Sequence, residues 1–128
     1  LGGEPFEYSN QKVLAPFLKR VREKFPDISI WCYSGYLFDK EITEKMLPKW
    51  AETAEMLKYI DVIVDGRFVE EQKKVNLLFR GSENQRIIEV RKSLEAGRPI
   101  LWEPPEYIHV VVDENPHEVG VAPEICGK

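Results

Sequence analysis

A chain of 128 residues with 43% hydrophobic and 31% charged residues has enough apolar material for one domain, or a large part of one, with a soluble surface. The formal net charge of −4 argues against strong non-specific nucleic-acid binding, which needs a basic surface. No apolar run approaches the ~20 residues of a membrane span, and no charged-then-apolar leader suggests export.

The chain begins with Leu1, not Met, and then Gly2-Gly3-Glu4-Pro5. Glycines leave backbone groups uncovered, so this run suits a ligand cradle or a simple turn. Its position at the chain end suggests either that residues were lost upstream or that the chain is a stable piece of a larger enzyme. Residues 6 to 12 read as polar and turn-like. From Val13 to Phe25 the apolar positions Val13, Leu14, Phe17, Leu18, Val21 and Phe25 describe one helical face. Pro16 is awkward inside a helix, so the regular helix is expected to start near it, and Pro26-Asp27 to end it.

Ile28 to Tyr33 reads as a buried strand, followed by Ser34-Gly35-Tyr36. A helix is expected from Glu41 to Tyr59, split or kinked at Pro48, with Met46, Leu47, Trp50, Ala54 and Leu57 buried. Asp61-Val62-Ile63-Val64-Asp65-Gly66 is a short β-branched run of the kind found in a parallel strand covered on both faces. Helix, strand, helix and strand in this order imply parallel strands joined by helical crossovers. Ligands collect at the carboxyl ends of such strands, where Ser34 and Asp65 stand.

Glu70 to Lys74 is a solvated run. Leu77-Leu78-Phe79 is a strand candidate, and Arg80 to Arg86 is a polar loop with one glycine. Ile87, Ile88 and Val90 suggest another strand, and Gly97-Arg98-Pro99 a turn. Ile100-Leu101-Trp102 and His109 to Val112 are further strand candidates, and the stretch from Glu114 reads as loop or tail. Trp31, Trp50 and Trp102 are expected in the core. Cys32 reads as a small buried hydrophobe and Cys126 as an exposed thiol, a usage that fits a reducing cytoplasm. His109 and His117 have no partners at ligand spacing, so no metal is assigned.

Four phrases occur in order: Gly2-Gly3-Glu4-Pro5, Trp31-Cys32-Tyr33-Ser34-Gly35-Tyr36, Asp61 to Phe68, and Arg80-Gly81-Ser82-Glu83-Asn84-Gln85-Arg86. Together they resemble the activases of anaerobic (class III) ribonucleotide reductase, in the radical S-adenosylmethionine superfamily. The resemblance covers residues 1–102, leaving 103–128 as an extension. It implies an α/β fold, part of an incomplete (β/α) barrel of mostly parallel strands with helical crossovers. It also implies reductive cleavage of S-adenosylmethionine at a [4Fe–4S] cluster, with transfer of the radical to a glycine of the partner reductase. The family's C-x-x-x-C-x-x-C loop is absent here, so the cluster is expected only in the parent enzyme and this chain alone is expected to be inactive.

By the same resemblance Gly2, Gly3 and Glu4 would hold the methionyl amino group, a simple turn being the plain alternative. Ser34 suits a ligand carboxylate or ribose, or caps a turn. Tyr36 lines the pocket or packs. Asp65 and Arg67 stand where a related activase family has Asp-x-Lys near the cofactor's carboxylate. Asp65 is otherwise a turn former before Gly66. Arg80, Ser82, Asn84, Gln85 and Arg86 either close the pocket and meet the partner or satisfy their own loop backbone. The implied partner is the glycyl-radical reductase, and a homodimer is a second arrangement. A truncated barrel also exposes a sheet edge, which favours self-association. A rival reading is a non-catalytic module that binds S-adenosylmethionine or another nucleoside, or docks on a partner.

Overall fold

The computed structural model describes residues 3–72 and 79–104, together with the strand pair at 110–111 and 120–121. The order is α1 (Tyr8–Lys24), β1 (Trp31–Tyr33), a π-helical segment (Phe38–Met46), α2 (Ala51–Tyr59), β2 (Val62–Asp65), β3 (Arg86–Glu89) and α3 (Val90–Ala96). A separate antiparallel pair joins β4 (Val110–Val111) and β5 (Gly120–Val121).

Helix α1 starts eight residues before Pro16. The polar run read as a turn is helical because Gln11 faces inward. Its amide donates to the Phe6 carbonyl at 2.8 Å and its carbonyl accepts the Thr53 hydroxyl at 2.6 Å. Pro16 lies within the helix on an exposed turn. The carbonyl of Lys12, which loses its usual N–H partner there, belongs to an exposed residue. The buried face is Gln11, Ala15 and Leu18, with Leu14 packed against the core; Leu18 and Leu14 belong to the expected face, while Val13 of that face is 68% exposed. Phe17 and Phe25 are also exposed.

The helical stretch expected from 41 to 59, split or kinked at Pro48, is two segments. In the first, backbone bonds run five residues back, as from Leu47 N–H to the Ile42 carbonyl at 2.8 Å. Pro48 then stands in the break before α2. Met46 and Leu57 are buried as expected. Ala54 is exposed, and Thr53 and Met56 face inward instead.

The main sheet has the order β1-β2-β3. Strand β1 pairs β2 in parallel, with Trp31 opposite Val62 and Tyr33 opposite Val64. Strand β3 is antiparallel to β2, with Ile63 opposite Ile88 and Asp65 opposite Arg86. The sheet is therefore mixed rather than mostly parallel. The β1 strand is also shorter than the expected 28–33, and Val90 opens a helix instead of continuing the strand. Ile100–Trp102 contributes only a bridge from Leu101 to Ile88. The expected turn is present: Gly97 caps α3 at φ 73°. The tail read as loop contains β5, and only Phe79 of the 77–79 candidate falls among the described residues.

Cys32, Ile63 and Ile88 lie on the sheet face covered by α1 and α2. Cys32 is half-buried against that core, as read. Burial, reinforced by the Glu4 carboxylate, pushes its thiol up to about 12. The opposite face carries Trp31, Tyr33, Val62 and Val64. An edge-to-face cluster of Trp31, Phe79 and Trp102, with centroids 4.9 to 5.9 Å apart, lies on the Trp31 side. The three tryptophans, expected in the core, are partly exposed; Trp50 packs against the core and stacks on Tyr8 at 4.5 Å.

At the amino ends of the parallel strands one side chain ties several segments. Arg22 donates to the carbonyls of Pro26, Ile28 and Tyr59 and to Asp61 Oδ2 at 2.7 Å. The same Asp61 oxygen accepts the Ile30 N–H at 2.8 Å.

Candidate functional site

The carboxyl ends of β1 and β2 lie side by side because the strands run in parallel register. Glu4 reaches this edge from the turn before α1. Its Oε2 accepts the Ser34 hydroxyl at 2.7 Å and the Phe6 N–H at 3.0 Å, and its Oε1 accepts the Gly35 N–H at 2.7 Å. Ser34 Oγ accepts the Tyr36 N–H at 3.1 Å. A Cβ on Gly35 would stand 3.3 Å from Glu4 Oε1 and 3.6 Å from Arg67 Cγ, so the missing side chain permits the close approach. Two separate phrases of the sequence are thus joined, Glu4 from the first and Ser34 and Gly35 from the second.

A shallow concavity of about 130 Å³ opens beside them, lined by Glu4, Glu7, Gly35, Tyr36 and Arg67. Ligand sites for whole drug-sized molecules begin near ~300 Å³, so this concavity by itself is too small for one. A larger recess, about 850 Å³, lies at the opposite strand ends around Arg22, Asp61 and Glu89. It holds none of the expected site residues. Tyr36 donates its hydroxyl to Glu7. That hydrogen bond, with burial and the charges of nearby carboxylates, pushes the phenol up to about 12. Glu7 was not foreseen; its only sequence signal is its spacing of three residues from Glu4 in the first turns of the chain.

Asp65 and Arg67 do not pair. Asp65 is fully buried at the end of β2. Its Oδ1 accepts Arg86 Nε at 3.0 Å; its Oδ2 accepts Arg86 Nη2 at 2.5 Å and the Phe38 N–H at 2.7 Å. Arg86 also donates to Asp39 Oδ1 at 2.9 Å. Burial alone would raise the Asp39 carboxyl; the hydrogen bond and charge of Arg86 outweigh it and hold the group below its ordinary range. The bond to Asp65 in turn keeps the Arg86 guanidinium above its usual value. Arg67 projects into solvent at the rim of the concavity.

The polar loop binds itself and the segment after β2. Arg80 donates to the carbonyls of Glu83 and Gln85. Gln85 accepts the N–H groups of Gly81 and Ser82 and donates to the Gly66 carbonyl at 2.9 Å. Asn84 donates to the Arg67 carbonyl at 2.7 Å. Ser82 donates to Asn84 Oδ1 and accepts the Val69 N–H. These bonds run both within the loop and to the segment after β2. Their effect is to fix residues 66–69 and, with them, Arg67.

Gly3 is exposed, and Gly2, His109, His117 and Cys126 lie outside the described residues. Among the described residues no group of three or more His, Cys, Asp or Glu is placed to hold a metal ion. The whole sequence has two cysteines. An iron–sulfur cluster of this type needs at least three thiolates, and Cys32 faces the helices, so the residues present do not fit one. No helix among the described residues is long and apolar enough to cross a membrane.

A family described as a 4Fe-4S single cluster domain matches residues 1–88. Curated relatives are named anaerobic ribonucleoside-triphosphate reductase-activating protein. The chain is 42% identical to that of Haemophilus influenzae over 84 residues, which covers 66% of this chain and 49% of the relative. It is 35% identical to that of Enterobacteria phage T4 over 86 residues, 67% and 48% of the two chains. It is 31% identical to that of Escherichia coli K12 over 90 residues, 70% and 53%. The chain thus spans about half the length of the curated relatives it matches. No solved structure matches it.

Proposed function

The chain belongs to the 4Fe-4S single cluster domain family of reductase-activating proteins, and from that premise we propose that it carries the cofactor-positioning part of an activase for anaerobic ribonucleoside-triphosphate reductase. The whole activity is a radical S-adenosylmethionine oxidoreductase reaction that leaves a glycyl radical on the reductase. The observation that carries the reading is the Glu4–Ser34–Gly35 junction at the carboxyl ends of two parallel strands.

The charges around the concavity suit an amino-acid end. Glu4 and Glu7 offer carboxylate oxygens to an ammonium group, and Arg67 offers a guanidinium to a carboxylate. S-adenosylmethionine, when bound, supplies the 5′-deoxyadenosyl group; its methionyl end is the part these residues would hold. Ser34 and Gly35 keep the Glu4 carboxylate from swinging away. Asp65 acts behind these residues, through Arg86 and the Phe38 N–H, and Asn84 and Gln85 hold the backbone that bears Arg67. The two cysteines present do not fit a cluster. That mismatch supports a second reading, a module of residues 1–102 that binds the cofactor or docks on the reductase without catalysis.

Calorimetry with S-adenosylmethionine on the iron-free chain tests the site. Binding that weakens about tenfold or more in Glu4→Gln, the loss expected for a charge-assisted bond, supports it. Absence of heat with the parent chain, or equal affinity in the variant, refutes it.

A further inference from the structure

Residues 66–69 leave β2 without regular structure of their own, and they carry Arg67. Their order comes from side chains 13 to 19 residues further along the chain. Gln85 Nε2 donates to the Gly66 carbonyl at 2.9 Å, Asn84 Nδ2 donates to the Arg67 carbonyl at 2.7 Å, and Ser82 Oγ accepts the Val69 N–H at 3.2 Å. The direction of each amide is fixed in turn. Gln85 Oε1 accepts the Gly81 and Ser82 N–H groups, and Asn84 Oδ1 accepts the hydroxyl of the buried Ser82 at 2.6 Å. The amide nitrogens are thus the ends that face the segment. Gly81 leaves room for the Phe68 ring, whose Cδ1 stands 2.9 Å from where a Cβ would be. Four consecutive residues are gripped by one loop.

We propose, resting on the amino-acid-end reading of the concavity given above, that Ser82, Asn84 and Gln85 are positioning residues for Arg67 and that through it they make the site select a ligand with a free carboxylate. Glu4 and Glu7 face the ammonium of such a ligand whether or not it carries a carboxylate. Discrimination between the two kinds of ligand therefore falls to Arg67.

The disposition of the cations agrees. Arg80 donates to the Glu83 and Gln85 carbonyls, and Arg86 to Asp65 and Asp39. No described residue engages the Arg67 guanidinium. Its stem is nevertheless placed, with Cγ 3.6 Å from the position a Cβ on Gly35 would take. A guanidinium held at its base and open at its head presents a planar fork to a carboxylate. A long side chain on an unordered backbone loses its freedom when it binds; here the backbone share of that loss falls in folding, before the ligand arrives. Linkage makes the effect reciprocal: a carboxylate that holds Arg67 also tightens the bonds that hold residues 66–69.

Calorimetry of the full 128-residue chain with S-adenosylmethionine and with its decarboxylated analogue, which keeps the ammonium, tests this. The parent should bind S-adenosylmethionine about tenfold or more tightly than the analogue, the difference a charge-assisted bond makes. Asn84→Ala should weaken S-adenosylmethionine by about three- to tenfold, the cost of ordering one long side chain, and leave the analogue within about twofold. In an Arg67→Met background Asn84→Ala should add no further loss, whereas general loosening of the loop would weaken both ligands in either background. Should Asn84→Ala fail to fold, amide exchange in the parent decides: S-adenosylmethionine, and not the analogue, must slow exchange at the Val69 N–H. Equal affinity of the parent for the two ligands, equal losses for both in Asn84→Ala, or a Val69 exchange rate that does not distinguish them overturns the proposal and leaves the role of Glu4 standing. Absence of heat with either ligand overturns it together with the reading on which it rests.

Discussion

Replacing Arg86 with methionine keeps most of the aliphatic stem and removes the guanidinium. Asp65, fully buried, then loses contacts at 3.0 and 2.5 Å and keeps only the Phe38 N–H. Breaking a buried ion pair by deleting one partner costs about 3–5 kcal/mol, because the remaining charge stays desolvated. The Arg86 side chain is 33% exposed, so water enters part of the vacated space and the lower end, about 3 kcal/mol, applies. For a chain of this size that corresponds to a melting temperature lower by about 10 °C. Urea denaturation followed by tryptophan fluorescence measures it, with a single transition required. Asp65→Asn in the Arg86→Met background removes the orphaned charge and should recover about 1–2 kcal/mol. A melting temperature within about 2 °C of the parent for Arg86→Met, or no recovery in the double variant, would refute the argument. The pH dependence has a definite sign. The folded Asp39 carboxyl is held below its unfolded value, so its contribution is present above the unfolded value and is lost as pH falls through the folded one. Arg86→Met should flatten that acid limb.

Gln11→Leu keeps the volume of a buried side chain but strands the Thr53 hydroxyl and the Phe6 carbonyl, and should cost about 2–3 kcal/mol in urea titrations; a neutral result would show that those bonds do not hold α1. Gly66→Ala meets only ordinary contacts, the nearest at 3.6 Å, yet its φ of 98° is unfavourable for a side chain; a loss of about 1–2 kcal/mol is expected by the same assay, and none would contradict the conformational argument. Ultraviolet titration should show Tyr36 ionising near 12. Glu7→Gln should bring that step to lower pH, and an unchanged curve would deny the hydrogen bond its role.

The parts of the fold legible in the sequence are those where side-chain chemistry and burial coincide. Val62-Ile63-Val64 between Asp61 and Gly66 has a strand's composition and length, and it became the central strand. The parallel β1–β2 pair followed from the helical crossover between them. Helix α1 was found but its start was set too late and its face only partly right, because its buried anchor is a glutamine and because Ala15 faces inward while Val13 and Phe17 do not. Apolar periodicity cannot find a face whose inward residues are polar or small. The direction of β3 was hidden for another reason: Ile87 and Ile88 read alike in either orientation. The site was legible as a place, since Ser34 and Asp65 mark adjacent strand ends. Its bonding was not, because a carboxylate gives no sign in the sequence of which cation it will meet. Asp65 met Arg86, 21 residues away.

Arg22 and Asp61 give the parallel pair a common starting line. Measured from that line, β1 and β2 deliver Ser34 and Asp65 to the same level at the far end. An extra residue anywhere between Ile60 and Asp65 would lift one terminus past the other by about 3.3 Å, one strand step. It would also turn every later side chain to the opposite face. The spacing in this stretch therefore works as a ruler, and tolerance of added length belongs to the turns outside it.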